Sequence, residues 1–380
     1  MSAPLKDVLV VGLGAVGTIY SYILKRSGLA RVTVVARSNY DAVRDHGMLI
    51  ESGKYGIHPA WRPDRLFKSV AEAADRPYSY VVLTTKAVPE VMKTPSVLAA
   101  LLSAPYTDKY TQPTYVLLQN GMGVERDLYT SIKGLAQGDP RIISTVVWIG
   151  TNLASKNKVV HNHFDRMTLG MYRHGDHLTT SNTDGEQAIL SDFGSMLEPE
   201  GARTDVTIVP EIQRYKFAKT FWNIAFSSFS TLTNSPVTSL FRPPPNAAEG
   251  QSYAPYVAPV TERLVREEVL PVLQSILEEM VALGRAMGFP DEESGLPSSL
   301  AEKTISSTAA LHRDPEHNTL PSMLLDARNA TPIEVEVIFG EVVRMAREKN
   351  VPVPRIETLY ALLTVIQNQI LGGFKTPMNA

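Results

Sequence analysis

The chain has 380 residues, of which 44% are hydrophobic and 20% charged, and its formal net charge is −2. That length accommodates two domains of ordinary size, that composition builds packed cores rather than disordered tracts, and the near-neutral charge gives no basis for a nucleic-acid or anionic-membrane partner. The absence of cysteine excludes disulfides, thiolate metal sites and a cysteine nucleophile. The opening stretch, MSAPLKDVLVVG, has no basic segment followed by an apolar one. We therefore expect a strand there rather than a signal peptide, and a cytoplasmic protein, since no apolar run is long enough to span a bilayer.

Taken in chain order, short β-branched runs predict strands at 7–12, 31–36, 80–85, 114–120, 141–150, 166–170 and 206–210. A helical pattern follows the first of them, through about Lys25. Strands alternating with helices imply a largely parallel sheet covered on both faces. His161 and His163 are one residue apart, so alternation puts them on one face of what reads as a surface strand, and no nearby carboxylate completes a metal pattern. From about Pro210 the pattern changes to long amphipathic segments, with helices expected over 211–234, 262–287, 297–312, 331–349 and near 355–371. The segment 241–259, FRPPPNAAEGQSYAPYVAP, contains three consecutive prolines and is expected to be a surface loop or insertion. The expected organisation is an α/β domain over 1–209 and an all-helical domain over 210–380.

The run VLVVGLGAVG places Gly12, Gly14 and Gly17 in a G-x-G-x-x-G pattern after a strand and before a helix. These glycines permit a tight turn and close backbone approach to a pyrophosphate, and the helix N-terminus offers unpaired N–H groups. Gly12, Leu13, Gly14, Ala15, Val16 and Gly17 are thus candidate cofactor-binding residues of a Rossmann-type domain. The second strand ends VVARSN. It carries no acid for ribose hydroxyls, whereas Arg37 and Ser38 suit a 2′-phosphate, so NADPH is expected over NADH. Lys86 and Asn120 follow two later strands, and ligands of open α/β sheets bind beyond the carboxyl ends of strands. Asn120 precedes a glycine and serves equally as a turn residue.

In the helical half, RYKFAKTFWNIAF sets Lys219 among aromatics. Lys219, Asn223 and Ser227 recur every four residues and share a helix face, with Lys216 flanking them. Such a stripe is either a solvated face or a cleft lining. Thr331, Pro332, Ile333 and Glu334 read as a capping box, with Thr331 at the N-cap and Glu334 reaching back, which by itself explains Glu334.

The ordered set GLGAVG, TTKA, QNG, KTFWN, PSMLLDARN and IEVEVIFGE resembles the ketopantoate reductases (2-dehydropantoate 2-reductases), from about residue 7 to about 370. The resemblance implies a Rossmann domain followed by a helical domain like the C-terminal domain of 6-phosphogluconate dehydrogenase, with the active site in the cleft between. It implies NADPH-dependent reduction of 2-dehydropantoate to pantoate, on the route to pantothenate and coenzyme A. Lys219 matches the catalytic lysine, Asn223 a substrate-binding asparagine and Ser322 a serine that contacts the substrate carboxylate. Glu334, twelve residues after Ser322, matches the active-site glutamate, with Glu336 as the nearby alternative. Lys86 and Asn120 match cofactor- and substrate-facing residues. Ser227 stands where a second substrate-binding asparagine is often found, and Pro89 where a glutamine is often found. No metal is expected, and the long helical domain offers a face for a homodimer. Two other readings stand beside this one: a reductase of the same fold acting on another 2-oxo acid or carbonyl, and a non-catalytic NADPH-binding regulator.

Overall fold

The apolar runs of the first half become the interior strands of one sheet. In the computed structural model, which describes residues 4–199, 203–293 and 295–373, ten strands form it. They are β1 (Lys6–Val11), β2 (Ala30–Val35), β3 (Met48–Ser52), β4 (Gly56–Trp61), β5 (Arg65–Phe67), β6 (Tyr80–Leu83), β7 (Thr114–Leu117), β8 (Ile142–Ser155), β9 (Lys158–Met171) and β10 (Asp205–Ile208). Their order is β4-β3-β9-β8-β7-β6-β1-β2-β5, with β10 also paired to β9. Every residue of β6 and β7 is buried, as expected for parallel strands covered on both faces. The helix Ala15–Arg26 packs on β2, β8 and β9, and the helix Asp184–Ser195 on β9 and β10.

The sheet is less uniformly parallel than the strand–helix alternation predicts. β8 and β9 form a long antiparallel hairpin, and β3 and β4 a second one. The 14-residue β9 is long enough to hold β3 along its first half, in register from Leu49↔Lys158 to Ser52↔His161, and β10 along its second, Asp205↔Arg166 to Ile208↔Leu169. This corrects the expectation for the two histidines. His163 is exposed, but His161 is only 2% exposed. Its Nδ1 lies 2.8 Å from Ser52 Oγ and its ring stacks on Tyr55. The β3–β4 hairpin, about a hundred residues earlier in the chain, covers that stretch of β9, and burial lowers the imidazole pKa.

The chain divides into two compact units, Met1–Lys216 and Phe217–Ala380. Helices dominate the second. One runs over 213–233 across the division, and others occupy 262–286, Leu300–His312, Ser322–Arg328, 335–348 and Pro354–Leu371. Three of them contain a five-residue π turn, at Asn223–Ser227, Val265–Val269 and Glu336–Gly340. Among the described residues no helix is long and apolar enough to cross a membrane.

The proline-rich segment is non-helical over most of its length, as three prolines require, but it is not loose. Arg242 at its start is 1% exposed. Its guanidinium donates to the carbonyls of Asp314 and His317 and lies over the Tyr253 ring, 5.2 Å from the centroid. The Arg242 carbonyl in turn accepts from Val257 N at 2.9 Å, closing the segment on itself. Arg242→Ala removes a fully buried side chain and its hydrogen bonds to the Asp314 and His317 carbonyls, so a loss of about 3 kcal/mol is expected in urea denaturation. Arg242→Lys, with one ammonium in place of the fork, should recover only part of it.

Candidate active site

The glycine pattern lies where the sequence reading places it, in the turn between β1 and the helix Ala15–Arg26. Each glycine answers a different constraint. Gly12 has φ +106°, a conformation that L side chains rarely adopt. A Cβ on Gly17 would stand 2.1 Å from the Gly12 carbonyl oxygen, so glycine is what lets the helix press against the loop. A Cβ on Gly14 would meet nothing within 4 Å. That open approach, beside a helix start with no acidic residue in its first turn, suits a pyrophosphate. Leu13 is buried beneath the loop, and Ala15 and Val16 are half-buried in the first helical turn.

Side chains from neighbouring loops lock this turn. Thr84 Oγ1 donates to the Gly12 carbonyl at 2.8 Å, and Asn39 Nδ2 donates to the Leu13 carbonyl at 2.7 Å. Gln119 Nε2 donates to the Thr85 carbonyl at 3.0 Å, joining the loop that carries Lys86 to the loop that carries Asn120. Arg37, Ser38 and Lys86 are exposed, and Asn120 is half-buried. Asn120 is followed by Gly121 and Gly123 at φ +83° and +70°, so it opens a turn, as the Asn-Gly pair suggests. The Rossmann unit thus brings Gly12–Gly17, Arg37, Lys86 and Asn120 to the carboxyl ends of β1, β2, β6 and β7.

In the helix 213–233, Lys216 and Lys219 have different surroundings. Lys216 is 3% exposed, and its Nζ donates to Glu125 Oε1 at 2.6 Å. Lys219 and Asn223, one α-helical turn apart, are both half-buried. Ser227 does not continue their stripe. The π turn Asn223–Ser227 adds residues to the turn, so spacing by four no longer stacks side chains, and Ser227 is 2% exposed. Ser322 is exposed at the start of the helix Ser322–Arg328. That helix is tied to the end of the helix 213–233 by Arg328, whose Nε and Nη2 donate to Asn234 Oδ1 and O, each at 2.7 Å. The segment 223–227 packs on both 322–328 and 336–340. Asn223 and Ser322 therefore lie on two segments that pack together, and Lys219 and Glu334 each lie within a turn of chain before one of the packed segments.

The capping box at Thr331 is not formed. The Thr331 backbone N–H and hydroxyl both donate to the Asp326 carbonyl, at 2.9 and 3.0 Å, closing a turn after the preceding helix. Gln367 then holds Ile333 by two hydrogen bonds, Ile333 N to Oε1 at 2.9 Å and Nε2 to the Ile333 carbonyl at 3.0 Å. The first helical bond is accepted by the Glu334 carbonyl, from Ile338 N at 3.2 Å. Glu334 is thus the N-cap residue rather than the third residue of the helix, and its carboxyl group, buried at 6% exposure, loses the structural explanation that the box supplied. Glu336 is committed elsewhere. One oxygen accepts from Tyr360 Oη and the other from Arg344 Nη1, the latter at 2.9 Å.

Glu211 and Glu125 escaped the sequence reading. Glu211 caps the helix 213–233, accepting from Gln213 N and Arg214 N at 2.7 Å each. Burial pushes its pKa up to about 7, against the two backbone donors and Arg214, while Asp176 adds to the rise. An acid capping a helix start is a recognisable pattern, but burial at the end of a strand–loop connection is not.

Two outcomes follow from these contacts. Gly14→Ala should fold within about 0.5 kcal/mol of the parent yet bind a dinucleotide at least about tenfold more weakly by calorimetry, whereas Gly17→Ala should lose both. Because the folded Glu211 pKa, about 7, lies above the ordinary 4.5, the folded state holds more protons than the unfolded state between those values. Its contribution to stability is present below that window and is lost as pH rises through 7. Glu211→Gln should flatten this decline in urea midpoints measured from pH 5 to 8.

Two family models match the chain: ketopantoate reductase PanE/ApbA over residues 8–174, and ketopantoate reductase PanE/ApbA C terminal over residues 246–367. An uncharacterised Saccharomyces cerevisiae protein is 25% identical over 378 residues, covering 96% of this chain and 94% of that one. A 2-dehydropantoate 2-reductase of a Nostoc species is 23% identical over 366 residues, covering 96% of each. The crystal structure of 2-dehydropantoate 2-reductase from Methylococcus capsulatus superposes with TM-score 0.71 at 24% identity, covering 98% of this chain and all of that one. D-mandelate dehydrogenase, solved as a ternary complex with NADH and anilino(oxo)acetate, superposes with TM-score 0.70 at 16% identity, covering 97% and 100%. At such identities the superpositions establish the fold, an N-terminal Rossmann-like α/β sheet followed by a helical domain. Together with the two family models, they make this chain a member of the ketopantoate reductase family of oxidoreductases.

Proposed function

We propose that the protein reduces 2-dehydropantoate to (R)-pantoate with NADPH, as a cytoplasmic enzyme of pantothenate and coenzyme A biosynthesis. The observation that carries this reading is the set Lys219, Asn223, Ser322 and Glu334 on or beside adjoining segments of the helical unit, within a chain whose two halves match the two family models. NADPH supplies the hydride, which adds to the C2 carbonyl carbon of the oxo acid and leaves an alkoxide. Lys219, half-buried among aromatics, stabilises that charge and gives its Nζ proton to the oxygen. Asn223 and Ser322 hold the hydroxyl and carboxylate ends of the substrate. Glu334 bears a buried carboxyl group and matches the active-site glutamate of the family, while Glu336 accepts from Tyr360 and Arg344. The glycine loop receives the pyrophosphate, Arg37 and Ser38 the 2′-phosphate, and Lys86 and Asn120 the nearer parts of the cofactor.

A second reading, reduction of a different 2-oxo acid, is favoured by one feature. Ser227 replaces the second asparagine and is buried inside a π turn, so the polar stripe available to a substrate ends at Asn223. Steady-state rates of NADPH oxidation with 2-dehydropantoate and a panel of 2-oxo acids separate the two, and no turnover with any of them would reject both in favour of a binding protein. Lys219→Ala should lower kcat at least ~10²-fold, the scale of general-acid catalysis. Near-normal turnover would remove it as the proton donor. Arg37→Ala should shift preference from NADPH toward NADH by about tenfold or more in kcat/KM, with little effect on NADH itself.

A further inference from the structure

The proton donor proposed above shares a helix with a second lysine that is fully engaged elsewhere. Lys216, three residues before Lys219, makes a buried ion pair with Glu125, with side-chain exposures of 3% and 0%. Glu125 Oε1 also accepts from Ser144 Oγ on β8 and from Gln213 Nε2 at 3.2 Å, and Lys216 Nζ reaches Ser144 Oγ at 3.2 Å. Three donors therefore converge on one oxygen, while Glu125 Oε2 is buried without a hydrogen-bond partner among the described residues. Burial works against the Glu125 charge, but the Lys216 ammonium and the hydrogen bonds hold its pKa below the ordinary range.

This is a poor way to gain stability. A buried pair with one unsatisfied oxygen is commonly matched or bettered by apolar residues of the same volume. Its place in the chain indicates another use. Glu125 ends the loop that begins at Asn120, a loop that turns through two glycines at positive φ. Lys216 and Gln213 belong to the first turns of the helix that carries Lys219 and Asn223. One carboxylate thus ties the Asn120 loop to the start of that helix.

We propose that Glu125 is a positioning residue: through Lys216 and Gln213 it fixes the loop 119–125 against the first turn of the helix that begins at Gln213, and so sets where Asn120 stands. The consequence for turnover rests on the proposed assignment of Asn120 to the cofactor and substrate, but the mechanical tie does not. The pair to compare with the parent is Glu125→Gln, which leaves a buried ammonium without its counter-charge, and Glu125→Gln with Lys216→Met, which removes both charges together. The single variant should lose both stability and kcat. The double variant should regain most of the thermal midpoint, because no unpaired buried charge remains, while kcat stays about 10- to 100-fold below the parent. Amide hydrogen exchange followed by mass spectrometry should be faster in peptides spanning 119–125 and 213–223 of the double variant. Recovery of kcat together with stability would reduce the pair to a structural role and overturn the proposal, as would unchanged exchange in both segments. If the parent protein oxidises NADPH with none of the 2-oxo acids, the reductase reading fails, and the exchange measurement still decides the tie.

Discussion

A parallel sheet has a direction, and much of the first unit follows from it. β1, β2, β6, β7 and the start of β8 all run the same way, so every chain that leaves their carboxyl ends does so at one edge. The interior strands are buried on both faces and are largely apolar, with a few small hydroxyl side chains such as Thr33 and Ser144. Polar groups that must act together are therefore pushed into the loops at that edge. Gly12–Gly17, Arg37, Lys86 and Asn120 are dispersed over about a hundred residues of sequence and brought to one rim by this constraint. The hydrogen bonds from Asn39, Thr84 and Gln119 then hold successive loops to one another, so the rim is ordered rather than merely crowded.

The helical unit solves the same problem without a sheet. Its polar candidates sit on otherwise apolar helices, and their placement depends on interruptions of regular helix. A π turn begins at Asn223 and another at Glu336, and the two segments pack together. Such turns cost hydrogen-bond geometry and are frequent at functional sites because they re-aim side chains. Here the first one separates Ser227 from the stripe of Lys219 and Asn223. The linker before the second one is pinned by Thr331 and Gln367, which leaves Glu334 at the head of its helix with its carboxyl group unneeded for a Thr331 box.

Buried charge recurs where segments must keep a fixed relation. Arg242 clamps the proline-rich segment through carbonyls of the 314–317 turn, and Lys216 with Glu125 clamps a helix start to a loop. Neither is a surface ion pair, whose contribution would be small and salt-sensitive. For Lys216 and Glu125, removing one partner leaves a charge stranded in a dry setting, which makes the alternatives to the native arrangement expensive.

The sequence by itself determined the strand–helix alternation, the glycine loop, the change to an all-helical half and the ordered motifs that mark the family, because these are carried by local periodicity and short spacing. It did not determine that β3 and β4 cover β9, which buries His161 against expectation, because that pairing joins residues about a hundred apart. The stripe through Ser227 and the box at Thr331 were drawn from ideal α-helical spacing, and each failed where tertiary packing imposed a π turn or a side-chain tether. Likewise KFAK shows two lysines with nothing to separate them. Only the fold brings a buried carboxylate from residue 125 to one of them, because the choice between Lys216 and Lys219 is made by what packs beside each and not by their neighbours in the chain.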